Sequence, residues 1–445
     1  MLPRKRKRIG KFVVWLLVAV MVFGFTGCSQ GDDGDVKTPT QGVQPTKPGD
    51  SKAQGDDVGQ EAGITQGANQ DADTTPEPTE PEKEVRTDFY ISAIDEEIPS
   101  MYEYWKDYFS IGIAITRGEL LNDFKGELII QQFNSMTCGN EMKPDALLDR
   151  EATKSAGTET CPVLKFDSCD EMLQFCMDNN IKMRGHTLVW HSQTPDWFFM
   201  EGYSNKQDAV FASREVMLLR MENYIRLVME YVNTTYPGVV YAWDVVNEAI
   251  APGDGGEDGM RMSDSFWYQT IGSDFVEKAF EYARKYADPE QKLFYNDFNT
   301  YESAKRIAIL KLVNKIKEQG NIDGIGMQSH IGMSSPTLLD YEETIRKFGE
   351  TGLEIQITEL DINLDTNTEE DFIKEGTRYK RLFFTFKNLV DTGAANITNV
   401  TVWGLTDEGS WLNKDGKRYP LLFNQVLETK PAFWGVLMDD GIPLY

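Results

Sequence analysis

Val239-Val240-Tyr241-Ala242-Trp243-Asp244-Val245-Val246-Asn247-Glu248 begins as a buried strand should, with nearly every residue apolar or aromatic. It then ends on an amide and a carboxylate. A charge taken into a core without a partner is costly, so this ending needs a structural reason. Seven further β-favouring runs lie on either side: Ile111–Thr116, Leu128–Asn134, Ile181–Trp190, Leu293–Asp297, Gly324–His330, Glu354–Leu360 and Val400–Leu405. Amphipathic stretches of helical length separate most of them, clearest at Asp167–Asn179, Ser213–Val232, Asp274–Tyr286, Ser303–Gln319 and Thr368–Leu389. Strands alternating with helices predict a parallel sheet, and eight such units predict an α/β fold closed into a (β/α)8 TIM barrel.

That fold explains Glu248. Chemistry in such barrels gathers at the C-terminal ends of the strands. The second run is followed by Asn140 and Lys143, and the third carries His186, Trp190 and His191. The others end on Asn247-Glu248, Asn296-Asp297, Gln328 and His330, Glu359, and Trp403. Either glutamate alone reads as a structural ion pair. Two at one barrel mouth, among amides and imidazoles, suit glycoside hydrolysis, in which one carboxyl protonates the leaving oxygen and the other attacks or activates water. All three histidines of the chain fall in these segments. A metal site is the competing reading, but there is no His-Glu-x-x-His and no carboxylate at ligand spacing, so neither metal nor cofactor is expected. A phosphate loop and a Gly-x-Ser-x-Gly elbow are also missing.

The N-terminus reads as an export signal. Arg4, Lys5, Arg6, Lys7, Arg8 and Lys11 precede an apolar run from Phe12 to Phe25 and then Thr26-Gly27-Cys28. Residues 1–27 are predicted to be a bacterial lipoprotein signal peptide, with Cys28 lipidated and the protein held at the cell surface. Secretion after ordinary cleavage is the alternative. Residues 28–86, rich in Gly, Asp, Thr, Gln and Pro, are predicted to be a disordered acidic linker, and 87–445 the catalytic domain. That domain carries about −24 of the chain's net −26. Such a charge repels nucleic acid and anionic membranes, so a neutral substrate and membrane contact only through the lipid are expected. Cys138, Cys161, Cys169 and Cys176 match no zinc spacing; export permits a disulfide in any of three connectivities.

The motifs at these positions closely resemble the endo-β-1,4-xylanases of glycoside hydrolase family 10. They are Phe-Asn-Ser-Met-Thr (133–137), Asn-Glu-Met-Lys (140–143), Arg-Gly-His-Thr-Leu-Val-Trp-His-Ser-Gln (184–193) and Trp-Asp-Val-Val-Asn-Glu-Ala (243–249). Phe-Tyr-Asn-Asp-Phe-Asn (294–299), Ile-Asp-Gly-Ile-Gly-Met-Gln-Ser-His (322–330), Ile-Thr-Glu-Leu-Asp (357–361) and Val-Trp-Gly-Leu-Thr-Asp (402–407) follow in family order. The resemblance implies an endo-acting enzyme that binds xylan and xylo-oligosaccharides and retains anomeric configuration; a monomer is expected. It implies Glu248 as acid/base, Glu359 as nucleophile, Asn247 on the sugar 2-hydroxyl, and His330 linking Glu359 to Asp361. Asn140, Lys143, His186, Trp190 and Gln328 become sugar contacts on the glycone side, walled by Trp403 and Trp411. Two positions depart from the family pattern: Gly139 replaces a usual Glu, and Phe298 a frequent Tyr. For retention the two carboxyls should stand about 5–5.5 Å apart. A β-glucan or cellulose hydrolase, and a lipoprotein that only captures polysaccharide, are the alternative readings.

Overall fold

The computed structural model describes residues 85–444; the expected signal at 1–27, Cys28 and nearly all of the linker lie outside the described residues. Eight parallel strands form the centre: β1 Ser110–Ile115, β2 Ser135–Cys138, β3 Lys182–Trp190, β4 Val240–Asn247, β5 Lys292–Asp297, β6 Gly324–Met327, β7 Glu354–Asn363 and β8 Asn396–Val402. Each pairs with the next in chain order, and β8 pairs back onto β1, with Ile111 beside Val400 and Ile113 beside Val402. The sheet is therefore a closed barrel.

A principal helix follows each strand: α1 Asp123–Gln132, α2 Asp170–Asn179, α3 Arg214–Thr235, α4 Phe275–Tyr286, α5 Ser303–Glu318, α6 Leu338–Gly349, α7 Glu369–Asp391 and α8 Pro431–Val436. Their starts are set locally. Asn122, Ser213, Thr337 and Thr368 accept hydrogen bonds from backbone N–H groups in the first turns of α1, α3, α6 and α7. Within the sheet, small residues on one strand make room for large ones on its neighbour. A Cβ at Gly185 would lie 2.2 Å from the Trp243 ring, and one at Gly324 2.1 Å from the Phe294 ring. Both aromatics are fully buried as a result. At the other end of the domain Phe89 and Ile91 are stitched to the C-terminal segment: Trp434 Nε1 donates to Phe89 O at 3.0 Å and Ile91 N to Thr429 Oγ1 at 3.0 Å.

Two strands differ from expectation. The run Leu128–Asn134 is the end of α1 and the turn after it. Asn122 Oδ1 caps Phe124 N and Lys125 N; Leu128 and Ile129 then face inward while Ile130 is exposed, which is helical spacing. The true β2 is a four-residue strand further on, with Cys138 level with Ile115. The last strand starts at Asn396, not Val400, because its inward Asn399 and Thr401 bond each other at 2.7 Å and so sit buried without apolar character. Among the described residues Cys138, Cys161, Cys169 and Cys176 are all free thiols, and all but Cys161 are buried.

Candidate active site

The strand ends open into one cleft of about 680 Å³. Its wall contains Asn140, Lys143, His186, Trp190, Asn247, Glu248, Gln328, His330, Glu359, Trp403 and Trp411. Of the catalytic and sugar-binding residues that the family resemblance assigns, Asp361 is absent from the wall; it lies fully buried beneath His330 and Trp411. His191 lies outside the cleft lining, against the edge of Trp190.

Glu359 sits well inside β7 and is 5% exposed. Its Oε1 accepts from Asn296 Nδ2 at 2.8 Å, and its Oε2 lies 3.1 Å from His330 Nε2. The other ring nitrogen of His330 is 2.9 Å from Asp361 Oδ2, which also accepts from Trp411 Nε1 at 2.8 Å. Burial pushes the His330 pKa down, but the carboxylates of Asp361 and Glu359 outweigh it and raise it to about 10. Burial likewise favours the neutral acid at Glu359. The hydrogen bond from His330, the nearby His186 and Asn296 win, and Glu359 lies below the ordinary glutamate range.

Glu248 is the first residue past β4 and is half-buried, with its backbone in the left-handed region at φ 57°. A non-glycine residue held there marks strain that the surroundings must maintain. They do so on both sides: Glu248 N donates to Asn296 O at 2.9 Å, and Arg261 Nε donates to Glu248 O at 3.0 Å. Its carboxyl accepts from Trp190 Nε1 at 2.9 Å and from Gln328 Nε2 at 2.8 Å. Asn247 Oδ1 takes hydrogen bonds from Asn296 and Gln328, which turns its Nδ2 donor the other way.

Lys143 Nζ bonds Asn140 Oδ1 at 3.0 Å and lies 5.1 Å from the Trp190 ring centre. Burial lowers its pKa, against the pull of Glu359 and other acids. His186 is held from below by Asp244, 2.9 Å from its Nδ1. Asp244 in turn takes both terminal nitrogens of the buried Arg184, at 2.6 and 2.9 Å. Burial alone would raise the Asp244 carboxyl; the Arg184 guanidinium holds it below its usual range. The sequence marked Asn296 as one of the polar strand ends but gave it no role; it braces Glu359 and Asn247 together from its place beside Asn247 in the β4–β5 pairing. Arg184 and Asp244 were not marked as site residues. Among the described residues no cluster of His, Cys, Asp or Glu is arranged to hold a metal ion, and no helix is long and apolar enough to cross a membrane.

Fold and cleft together define a (β/α)8 barrel with two separately braced carboxyl groups and an aromatic wall at its mouth. The profile of glycosyl hydrolase family 10 matches residues 100–439, and the chain belongs to that family. Its relatives include endo-1,4-beta-xylanase B of Butyrivibrio fibrisolvens, 45% identical over 76% of this chain and 53% of that protein. Endo-1,4-beta-xylanase A of Thermotoga maritima is 41% identical over 78% of this chain and 31% of that one. This chain thus spans about half or less of these curated relatives. The crystal structure of the Clostridium thermocellum N-terminal endo-1,4-beta-D-xylanase 10B, as CBM22-1 and GH10 modules with xylohexaose, matches at a TM-score of 0.71 with 35% identity, over 78% of this chain and 68% of that one.

Proposed function

We propose that the protein is an endo-1,4-β-xylanase that cleaves internal bonds of xylan by double displacement, with retention. The observation that carries this is the pair of carboxyls in one cleft with different supports, Glu359 between Asn296 and His330, whose pKa the flanking carboxylates raise, and Glu248 between two neutral donors. In the first step Glu359 attacks the anomeric carbon while Glu248 protonates the departing oxygen. In the second Glu248 takes a proton from water, which attacks the same carbon and releases the sugar from Glu359. The cation at His330 keeps Glu359 ionised for attack. Asn247 Nδ2, left free by the bonds to its oxygen, suits the sugar 2-hydroxyl beside the nucleophile. Asn140, Lys143, His186 and Gln328 offer polar contacts on the glycone side, and Trp190, Trp403 and Trp411 offer ring faces for the apolar side of a pyranose. The matched relatives named as xylanases support the substrate class. The enzyme is taken to act as a monomer without a cofactor.

A proton NMR time course of residues 87–445 acting on xylohexaose tests this. Early β-anomer in internal fragments is expected. Early α-anomer means inversion and removes Glu359 as nucleophile, and faster hydrolysis of carboxymethylcellulose than of xylan moves the substrate to glucan.

We propose also that residues 1–27 direct export and that Cys28 carries lipid, with the linker holding the barrel off the cell surface. C28S should then lose fatty-acid label and leave the membrane fraction. Label retained in C28S rules the anchor out.

A further inference from the structure

We propose that Glu119, in the short helical turn Arg117–Leu120 between β1 and α1, is a further sugar-binding residue at the glycone end of the cleft and sets how tightly longer xylo-oligosaccharides are held. The proposal rests on the xylanase reading. The cleft wall contains three carboxylates, and Glu119 is the one that reading leaves without a task. It shares the wall with Gly139, Asn140, Gly409 and Trp411. Its two oxygens are treated differently. Oε2 accepts from Thr116 N at 3.1 Å and from Thr116 Oγ1 at 3.2 Å, which fixes the side chain in place. Oε1 meets only Lys125 Nζ at 3.5 Å, the long end of hydrogen bonding, so acceptor capacity remains.

The neighbouring wall comes right up to that oxygen, and can do so only because residue 409 is glycine. A Cβ at Gly409 would stand 2.6 Å from Glu119 Oε1. The backbone at Gly409 is not left-handed, so space and not conformation calls for glycine there. At Gly139 a Cβ would meet Ile115 O at 3.3 Å, and with no side chain this position sends nothing into the cleft. What remains is a fixed anion with a free lone pair facing a neutral, hydroxyl-rich ligand. Lys125 offsets its charge, which lowers the cost of covering it with sugar. A hydroxyl donating to a carboxylate is the stronger kind of hydrogen bond.

The test compares p-nitrophenyl β-xyloside, β-xylobioside and β-xylotrioside on the wild type, E119Q, G409A and E119Q/G409A. Glutamine keeps an acceptor for Thr116 but turns a donor to the cleft. E119Q should lower the ratio of kcat/KM on the longest glycoside to that on the shortest by about tenfold, through KM. G409A, which pushes the carboxylate aside, should do the same, and the double variant should lose no more than E119Q alone. An unchanged ratio in E119Q overturns the proposal. So does an equal loss of kcat on all three glycosides, because Glu119 then only braces its loop. Wild-type protein that cleaves none of the three overturns the xylanase reading itself, a failure distinct from the other two.

Discussion

Glu359 and Glu248 are the same side chain in two surroundings. Glu359 lies within a strand, nearly closed off from water, with a cation on one oxygen and an amide on the other. Glu248 hangs just past a strand end on a left-handed residue, half-open to the cleft, and both its donors are neutral. The proposed mechanism asks Glu248 to give and take a proton and Glu359 to attack, and the two surroundings suit those tasks. The donors to Glu248, an indole N–H and an amide N–H, are satisfied by an acid or by its anion, because both keep acceptor lone pairs. A cation at His330 favours the anion of Glu359 over its acid. Two carboxyls in one site need unequal environments for one to hold a proton, and here strand position sets them apart.

Removing the anion should break this arrangement most severely. E359A should lose several powers of ten in kcat on xylan, with binding of xylo-oligosaccharides retained. Activity near wild type would end its assignment as nucleophile. E248Q should cost about 10²–10⁴ in kcat on xylan, the usual range for a positioned acid. The loss in kcat/KM, which reports the first step alone, should shrink on an aryl xyloside whose leaving group needs no proton, while kcat falls on both because Glu248 is also the base of the second step. Equal losses of kcat/KM on both substrates would show that Glu248 is not the acid.

A smaller effect sharpens the comparison. H330Q keeps a hydrogen-bond donor beside Glu359 but removes the charge. In the wild type His330, raised to about 10, stays cationic through the acid and neutral range, and Glu359 stays ionised until pH falls through its lowered pKa. Without the cation the Glu359 pKa rises, so the acid limb of kcat/KM should move to higher pH, by about one unit, with a roughly tenfold loss below it. An acid limb that does not move means another group holds Glu359 ionised.

What could be read from sequence follows the same division. Glu248 was visible because an apolar run stops abruptly at polar residues, and Glu359 because a carboxylate interrupts a strand that runs on past it to Asn363, both local patterns. The supports were not, because they are made by closure of the barrel. Arg184 and Asp244 are 60 positions apart, and only the pairing of β3 with β4 brings them together under His186. Asn296 likewise reaches Glu359 from 63 positions away. The misplaced β2 has a different cause. Leu128-Ile129-Ile130 fits a buried strand and an amphipathic helix equally over so short a run, and the cap at Asn122 decides for helix. Asn140 still reaches the cleft because β2 ends only two residues before it.

The least disruptive prediction concerns a buried carboxyl that lacks the supports Glu359 enjoys. Glu375 on α7 is fully buried, with Lys430 Nζ 3.2 Å from its Oε2. Neither of its oxygens has an aligned hydrogen bond among the described residues. Lys430 points instead to Asp407 and to the carbonyls of Tyr419 and Leu421. Burial outweighs the pull of Lys430 and pushes the Glu375 pKa up to about 8. A carboxyl raised on folding makes the protein lose stability as pH climbs from its unfolded value near 4.5 to its folded value near 8, because only the folded chain still holds the proton there. Below that window both states are protonated and above it both are ionised, so the dependence is confined to it. The slope should reach on the order of 1 kcal/mol per pH unit. E375Q, neutral at every pH and with Lys430 still paired to Asp407, should therefore show a melting temperature that falls less between pH 5 and 8 than that of the wild type. Parallel curves would mean that Glu375 is ionised throughout, and that a buried carboxylate can be held by one misaligned ammonium where Glu359 needs an imidazolium and an amide.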